Sequence, residues 1–429
     1  MTNHDHFLTL SALDSILLDV ATQIEPSPSD RRIADNRFRK LKEHLERPAS
    51  PMAEHLKDGH HLIYAQGSMA TSTTILSGID DDRFDVDAIV EMDVPSNWTE
   101  HDALDVLEES LKGFPGVIKI VRCTRCIQLQ FAFMHMDVTI MDRTGRLTIA
   151  RAGAIMHAAD DGSGARIPSN PWGFTAWFRS SVSINQAAFA EELRKRRGLQ
   201  SRSRLQPLDW REQMLAKAEQ IDLPPMIPSR LDAQEAVALK LLKRNIYRRY
   251  EKLTIKRPPT IYLAKRAGSV GHIPQGLSAQ LIVLSESTAE IMREHIATRT
   301  RPQEANPSYA ADKINDRWPA ADASGIRDME KFAECLDHLA RRLRELARAP
   351  LSEIVDGMSE LFGERVGAEV RSILKKRFDT RDGKAANLVQ SASGNITSPA
   401  IVRVTQDVRP VPQHKFHSMI IEDEDGNNQ

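Results

Sequence analysis

The chain has 429 residues, and 58 Lys and Arg stand against 59 Asp and Glu, a formal net charge of −1. That balance excludes a uniformly basic surface for coating nucleic acid, and with 41% hydrophobic residues and no apolar run near bilayer length no membrane span is expected. The start, Met1-Thr2-Asn3-His4-Asp5-His6, has no secretory leader pattern and three cysteines give no disulfide framework, so a reduced, cytoplasmic protein is expected. In chain order, Leu13, Ile16, Leu17, Val20 and Ile24 recur with helical period. Pro26-Ser27-Pro28-Ser29 ends that helix, and Ser29 or Asp30 is expected to cap a second one carrying Phe38, Leu41 and Leu45. Between 60 and 142 the pattern changes. The run Leu62-Ile63-Tyr64-Ala65 stops at Gly67, strands are predicted over 85–90, 117–121, 127–133 and 136–141, and a helix over 102–111. From about residue 185 helical stripes dominate, through Leu239, Leu242 and Ile246, then Ile326 to Leu346, then Ile354 to Leu374. The class is α+β: helices and a mixed sheet over 1–185, a helical lobe over 186–378, and a flexible tail over 379–429 that carries Glu422-Asp423-Glu424-Asp425 before Gly426-Asn427-Asn428-Gln429.

The chemistry concentrates in Gln66-Gly67-Ser68, in Asp85-Val86-Asp87 seventeen residues after Ser68, and in Asp137. Asp85 and Asp87, two apart on a predicted strand, share a face, and Asp137 lies on a second alternating strand able to pair nearby. Three converging carboxylates need a cation among them, and two Mg²⁺ ions bridging a phosphoryl transfer suit that pattern. Gly67 permits a close backbone approach, and Ser68 with the adjacent N–H groups suits phosphates. A lone Asp-x-Asp or Gly-Ser is common; the ordered set is far more specific.

That set resembles the nucleotidyltransferase superfamily of poly(A) polymerases, oligoadenylate synthases and cyclic GMP–AMP synthase. It is most similar to the bacterial cGAS/DncV-like branch of anti-phage signalling operons. Asn170-Pro171-Trp172-Gly173-Phe174, Leu241-Leu242-Lys243-Arg244, Asn306-Pro307 with Trp318-Pro319, and Leu361-Phe362-Gly363 look like further elements of that branch. The resemblance, over roughly 10–378, implies a two-lobed polymerase-beta-like fold. It implies Asp85, Asp87 and Asp137 as ligands of two Mg²⁺ (or Mn²⁺), with Gln66, Gly67, Ser68, Lys243 and Thr260 on the nucleotide. By helical angle Lys243 lies about 60° from the centre of its apolar stripe, with Lys240 pointing farther out. The implied activity joins nucleoside triphosphates into a cyclic di- or trinucleotide that switches on an effector, with an accessory regulator as partner and no nucleic-acid activator. RNA extension, a small acceptor and a catalytically lapsed nucleotide-binding regulator stay open as other readings.

Other features have plainer readings. Cys123-x-x-Cys126 lacks a second ligand pair, and on a strand the two would face opposite ways, so half-buried thiols are expected rather than zinc. Arg194-Lys195-Arg196-Arg197, with Arg202 and Arg204, reads as a solvated helix end, and His60-His61 as surface histidines. Trp172, Phe174, Trp177 and Phe178 read as packing between the lobes. Val411-Pro412-Gln413-His414-Lys415-Phe416 is similar to a conjugated terminus of some family members, but His417-Ser418 and the acidic extension depart from it.

Overall fold

The computed structural model describes residues 10–56, 62–77, 83–143, 149–182, 186–199, 231–251 and 253–379, plus strand pairs at 389–390, 396–397 and 409–410. The remaining residues lie outside that description. They include His60, His61, Arg202, Arg204, the segment 411–418 and most of the tail read over 379–429.

Helix α1 (Ala12–Ile24) is capped by Ser11 and buries the predicted stripe. The cap of α2 (Pro28–Glu46) is Ser27, not Ser29 or Asp30. Pro28 occupies the first helical turn, where its missing N–H costs nothing, and the Asp30 carboxylate accepts in return from the Ser27 N–H at 2.8 Å.

The sheet follows the predicted runs with extended ends. It comprises β1 (Leu62–Gln66), β2 (Phe84–Met92), β3 (Lys119–Arg122), β4 (Ile127–Gln130) and β5 (Met134–Asp142). A one-turn helix α3 (Gly67–Ala70) follows β1, and α4 (Glu100–Leu111) links β2 to β3. Strand order is β1-β2-β5-β4-β3. The central pair β2–β5 is parallel and the other pairs are antiparallel. A hairpin absent from the sequence expectation, β6 (Gly153–Ala158) and β7 (Gly164–Ser169), joins the end of β5 through Met141 and Asp142. Neither of its strands, Gly-Ala-Ile-Met-His-Ala and Gly-Ala-Arg-Ile-Pro-Ser, alternates cleanly between apolar and polar residues, so periodicity alone did not mark it.

Pleating sorts the side chains. Phe84, Val86, Ala88 and Val90 of β2, with Met134, Met136, Val138 and Ile140 of β5, enter one core with Phe38 and Leu41 of α2 and Leu104 and Leu107 of α4. Asp85, Asp87, His135 and Asp137 occupy the alternate positions and emerge on the opposite face.

The later helices are α5 (Pro171–Ser181), α6 (Ala187–Leu199), α7 (Gln234–Tyr250), α8 (Thr260–Val270), α9 (Leu277–Thr298), α10 (Ser324–Leu346), α11 (Leu351–Phe362) and α12 (Glu364–Asp379). A short hairpin, β8 (Ala305–Asn306) and β9 (Tyr309–Lys313), interrupts them. Helix α7 is central and packs on α8, α9 and α11, while α1 packs on α6, α7 and α11 rather than on the sheet. The described residues up to Ile373 form one compact unit. A second unit, from Leu374 onward, contains a sheet of three two-residue strands.

An ion network fixes α1 against α6 and α7. Glu25, 7% exposed, accepts from Arg197 and, at 3.0 Å, from Lys240; Arg197 also pairs with Asp232, and Arg196 with Asp19 at 2.9 Å. The basic run is therefore only half solvated: Arg194 and Lys195 face water beside Glu191, whereas Arg196 and Arg197 are interior. Lys240, expected to point outward, is buried on the same carboxylate.

Removing Glu25 takes a carboxylate partner from two buried cations, Lys240 and Arg197, of which Arg197 keeps its pair with Asp232. Glu25→Ala is expected to destabilise the protein by about 3–5 kcal/mol, read as a lower urea midpoint with an unchanged slope.

Candidate active site

The site is built from one row across the sheet. Gln66 of β1 stands opposite Asp87 of β2, and Asp87 opposite Asp137 of β5. In the next row Asp85 stands opposite His135. At the end of β1 the backbone must turn directly under Asp87. Gly67 does so at φ +61°, where a Cβ would lie 2.1 Å from Asp87 Oδ2. Glycine is required there on both counts, conformation and space.

The loop after Gly67 is held by its own hydroxyls. Thr71 Oγ1 donates to the Gly67 carbonyl at 3.0 Å, the Thr73 N–H to the Ser68 carbonyl at 2.8 Å, and Ser68 Oγ pairs with Thr74 Oγ1 at 3.1 Å. Thr71, Ser72, Thr73 and Thr74 are all buried. Ser68 is thereby fixed on the lining of a cleft of about 150 Å³.

That cleft is lined by Ser68, Asp85, Asp87, Asp137, Lys243 and Thr260, six of the eight residues singled out in the sequence. Gln66 and Gly67 lie beneath it rather than on its wall. Lys243 comes from α7, is 3% exposed and donates from Nζ to the Thr73 carbonyl at 2.8 Å. Thr260 opens α8. Four lining residues were not anticipated: Arg83, Tyr247, Ile75 and Ser77. Tyr247 follows Lys243 by one helical turn, and Arg257 stacks over its ring at 4.1 Å. The i, i+4 spacing from Lys243 could have found Tyr247; nothing local marks the others.

The electrostatics follow from crowding. Burial, then the charges of Asp137 and Asp85, raise Asp87 to about 8 against a partial offset from Lys243. Burial also raises Asp137, while a hydrogen bond from Gln128 opposes that. Burial lowers Lys243 to about 8, against the pull of Asp85 and Asp87. Among the described residues no three His, Cys, Asp or Glu side chains close into a ready metal cage. The donor set still fits a hard cation: the aspartates offer only oxygen, they repel one another, and the cleft leaves room for water and phosphate oxygens to complete the coordination.

The other motifs serve the frame. Cys123 and Cys126 bracket the β3–β4 turn, where the Cys123 N–H donates to the Cys126 carbonyl at 2.9 Å. The hairpin places them opposite each other, not on opposite faces as strand spacing implied. Both are free, half-buried thiols. Phe174 and Phe178 are buried and Trp177 packs against Gly268 of α8, whereas Trp172 is 45% exposed beside Arg151. Asn170 caps α5, its carbonyl accepts from Asn306 Nδ2 at 2.8 Å, and both residues bind the Asp312 carboxyl at 2.9 Å. The two Asn-Pro elements thus meet in one buried node. Arg244 donates to the Phe362 carbonyl at 2.8 Å and Asn245 to the Leu361 carbonyl at 3.0 Å, which joins the Leu-Leu-Lys-Arg helix to Leu-Phe-Gly.

No family model matches the chain. The cyclic dinucleotide synthase CdnG of Bradyrhizobium diazoefficiens is 28% identical over 426 residues, 95% of this chain and 94% of that protein. The solved structure of that CD-NTase in complex with GTP matches with a TM-score of 0.68 at 25% identity, over 85% of this chain and 99% of the other. CdnC of Escherichia coli MS115-1, solved in complex with HORMA-deltaN, shares the fold with a TM-score of 0.52 at 14% identity, over 83% of this chain and 98% of the other. The α+β, polymerase-beta-like architecture expected from the sequence is borne out.

Asp87 generates a pH signature. Its folded value lies above that of the unfolded chain, so folding retains a proton between about pH 4 and 8, and its stabilising contribution falls as pH rises through that window. A divalent cation favours the ionised form and displaces that proton. In thermal melts from pH 5.5 to 8, Asp87→Asn is expected to gain stability over the parent chain as pH rises, without metal. Stabilisation of the parent by Mg²⁺ is expected to grow over the same range.

Proposed function

We infer that this chain, a member of the cGAS/DncV-like nucleotidyltransferases, joins nucleoside triphosphates into a cyclic oligonucleotide signal in anti-phage defence. The observation that carries this reading is the convergence of Asp85, Asp87, Asp137, Ser68, Lys243 and Thr260 on one cleft. They do so in a chain that matches CdnG along nearly its whole length. CdnG is a cyclic dinucleotide synthase, which favours a cyclic dinucleotide over a trinucleotide.

Asp85, Asp87 and Asp137 would hold two Mg²⁺, with Mn²⁺ as a substitute. When bound, such ions lower the pKa of an attacking hydroxyl and neutralise the charge on a leaving pyrophosphate. The rest falls to the chain. Lys243, anchored on the Thr73 carbonyl, presents a buried ammonium whose charged form a triphosphate would favour. Ser68 and Thr260, both on the lining of the cleft, offer hydroxyl donors. With both nucleotides oriented, a ribose hydroxyl oxygen forms a bond to the α-phosphorus, the bond from that phosphorus to the bridging oxygen breaks, and pyrophosphate leaves. The hydroxyl proton passes to solvent, so no histidine base is required. A second such step within the linear intermediate closes the ring. Catalysis by positioning and charge neutralisation is what a cleft of fixed carboxylates and one buried lysine supplies.

The product would act through an effector that it activates, and an accessory regulator encoded with the enzyme fits the family. CdnC in complex with HORMA-deltaN is an instance of such pairing in another protein.

Incubation with the four labelled NTPs and Mg²⁺ or Mn²⁺, followed by phosphatase and mass spectrometry, tests the reading. A phosphatase-resistant cyclic product is expected, with kcat/KM reduced on the order of 10³-fold or more by Asp85→Ala/Asp87→Ala. A linear product would redirect the enzyme to RNA or a small acceptor. NTP binding without product under any metal would mark a lapsed enzyme.

A further inference from the structure

Two chains of polar side chains outside the predicted set reach the aspartates, one hydrogen-bonded throughout and one ending in an approach of 3.6 Å. On β4, Gln130 Nε2 donates to Gln128 Oε1 at 2.8 Å, and Gln128 Nε2 donates to Asp137 Oδ1 at 2.9 Å. Next to β2, Arg83 Nη1 lies 3.2 Å from His135 Nε2, and His135 Nδ1 lies 3.6 Å from Asp85 Oδ1. A guanidinium only donates, so Nε2 accepts and the ring proton sits on Nδ1, facing Asp85. One small rotation of the exposed carboxylate closes that gap to a hydrogen bond.

Register explains both chains. Gln128 stands opposite Asp137 and Gln130 opposite His135, while His135 stands opposite Asp85. Two adjacent rows of one sheet face are therefore polar across three strands, where the other face is wholly apolar. The Asp85 side chain is 68% exposed, so packing alone does not hold its rotamer. A carboxylate that must meet a cation in a fixed orientation needs a donor behind it.

We propose that Gln128 and His135 are positioning residues, backed by Gln130 and Arg83, that hold Asp137 and Asp85 in the orientation required by a divalent cation. This rests on the reading of Asp85, Asp87 and Asp137 as metal ligands. Outer partners of this kind commonly change metal affinity by about 10–100-fold. His135 and Gln128 touch neither substrate nor reacting atoms; they act through the carboxylates.

The test measures Mn²⁺ binding to the full chain without nucleotide, by electron paramagnetic resonance, beside turnover over a Mn²⁺ titration at saturating NTP. Q128M and H135L keep the side-chain volume and remove the donors; circular dichroism and thermal melts check folding. Both are expected to weaken Mn²⁺ binding by roughly 10–100-fold and to raise the half-maximal Mn²⁺ for turnover by the same factor. KM for NTP at saturating metal should move less than about twofold. H135Q, whose amide both donates to Asp85 and accepts from Arg83, should recover most of the binding, and R83A combined with H135L should be no worse than H135L alone. If H135L does not fold, H135N, too short to reach Asp85, takes its place. Unchanged Mn²⁺ affinity in the folded variants, or H135Q as weak as H135L, overturns the proposal. R83A that raises KM for NTP at unchanged Mn²⁺ affinity reassigns Arg83 to the triphosphate and removes its backing role. A parent chain that does not bind Mn²⁺, or Asp85→Asn and Asp87→Asn variants that bind it as well as the parent, defeats the metal reading itself.

Discussion

Mutual repulsion between carboxylates on neighbouring strands is the constraint on which this structure turns. Two full charges about 5 Å apart repel by about 3 kcal/mol at an effective dielectric near 20. That is a sizeable share of the 5–15 kcal/mol by which a domain is typically stable. With Asp87 flanked by Asp137 in its own row and Asp85 in the next, the sheet bears this cost only where something offsets it. Here the offsets are a retained proton on Asp87, the ammonium of Lys243 and the Gln128 amide that donates to Asp137. A site so arranged is poised for cations and polyphosphates, because they exchange an unfavourable state for a favourable one.

Lys243 must be held as firmly as the aspartates, and the helical half of the molecule is organised to do it. Helix α7 is buried on nearly every side, so its position is over-determined. Arg244 and Asn245 tie it to the carbonyls that end α11, and Lys240 ties it to Glu25 at the end of α1. Within two turns of one helix, Lys240, Lys243 and the Arg244–Asn245 pair therefore face three different neighbours. The cost of burying those charges is met pairwise, since each has a partner of opposite charge or a carbonyl. Motifs scattered along the chain turn out to be the two sides of single contacts. Asn170 meets Asn306, and Leu-Leu-Lys-Arg meets Leu-Phe-Gly.

The same logic places the seam between sheet and helices. Helix α5 presents Trp177 and Phe178 to Gly268 of α8, and Tyr64 of β1 meets Trp172 edge-on with ring centroids 5.3 Å apart. The aromatic cluster is thus apolar mortar between α5 and its neighbours, with Phe174 and Phe178 buried, Trp177 half-buried and Trp172 exposed. Thr260 begins the helix that this cluster braces, which connects the packing of the seam to one wall of the site.

The sequence by itself determined the elements whose signal is local. Apolar alternation marked β2 and β5, helical period marked α1, α4 and α10, and the ordered Gly-Ser, Asp-x-Asp and strand Asp marked the cleft. Chemistry that needs particular side chains at particular spacings leaves such traces because a strand or helix fixes those spacings whatever surrounds it. Tertiary structure alone decided the rest. The pairing of Asp87 with Asp137, and of Gln128 and His135 with their carboxylates, depends on strand register, which is a property of two segments and is written in neither. Whether Lys240 and Arg196 face water or an acid depended on where α1 settled, far away in the chain. Burial is a relation between segments, so a lysine on a helix edge reads the same in sequence whether it ends in solvent, on Glu25 or at the wall of a nucleotide cleft.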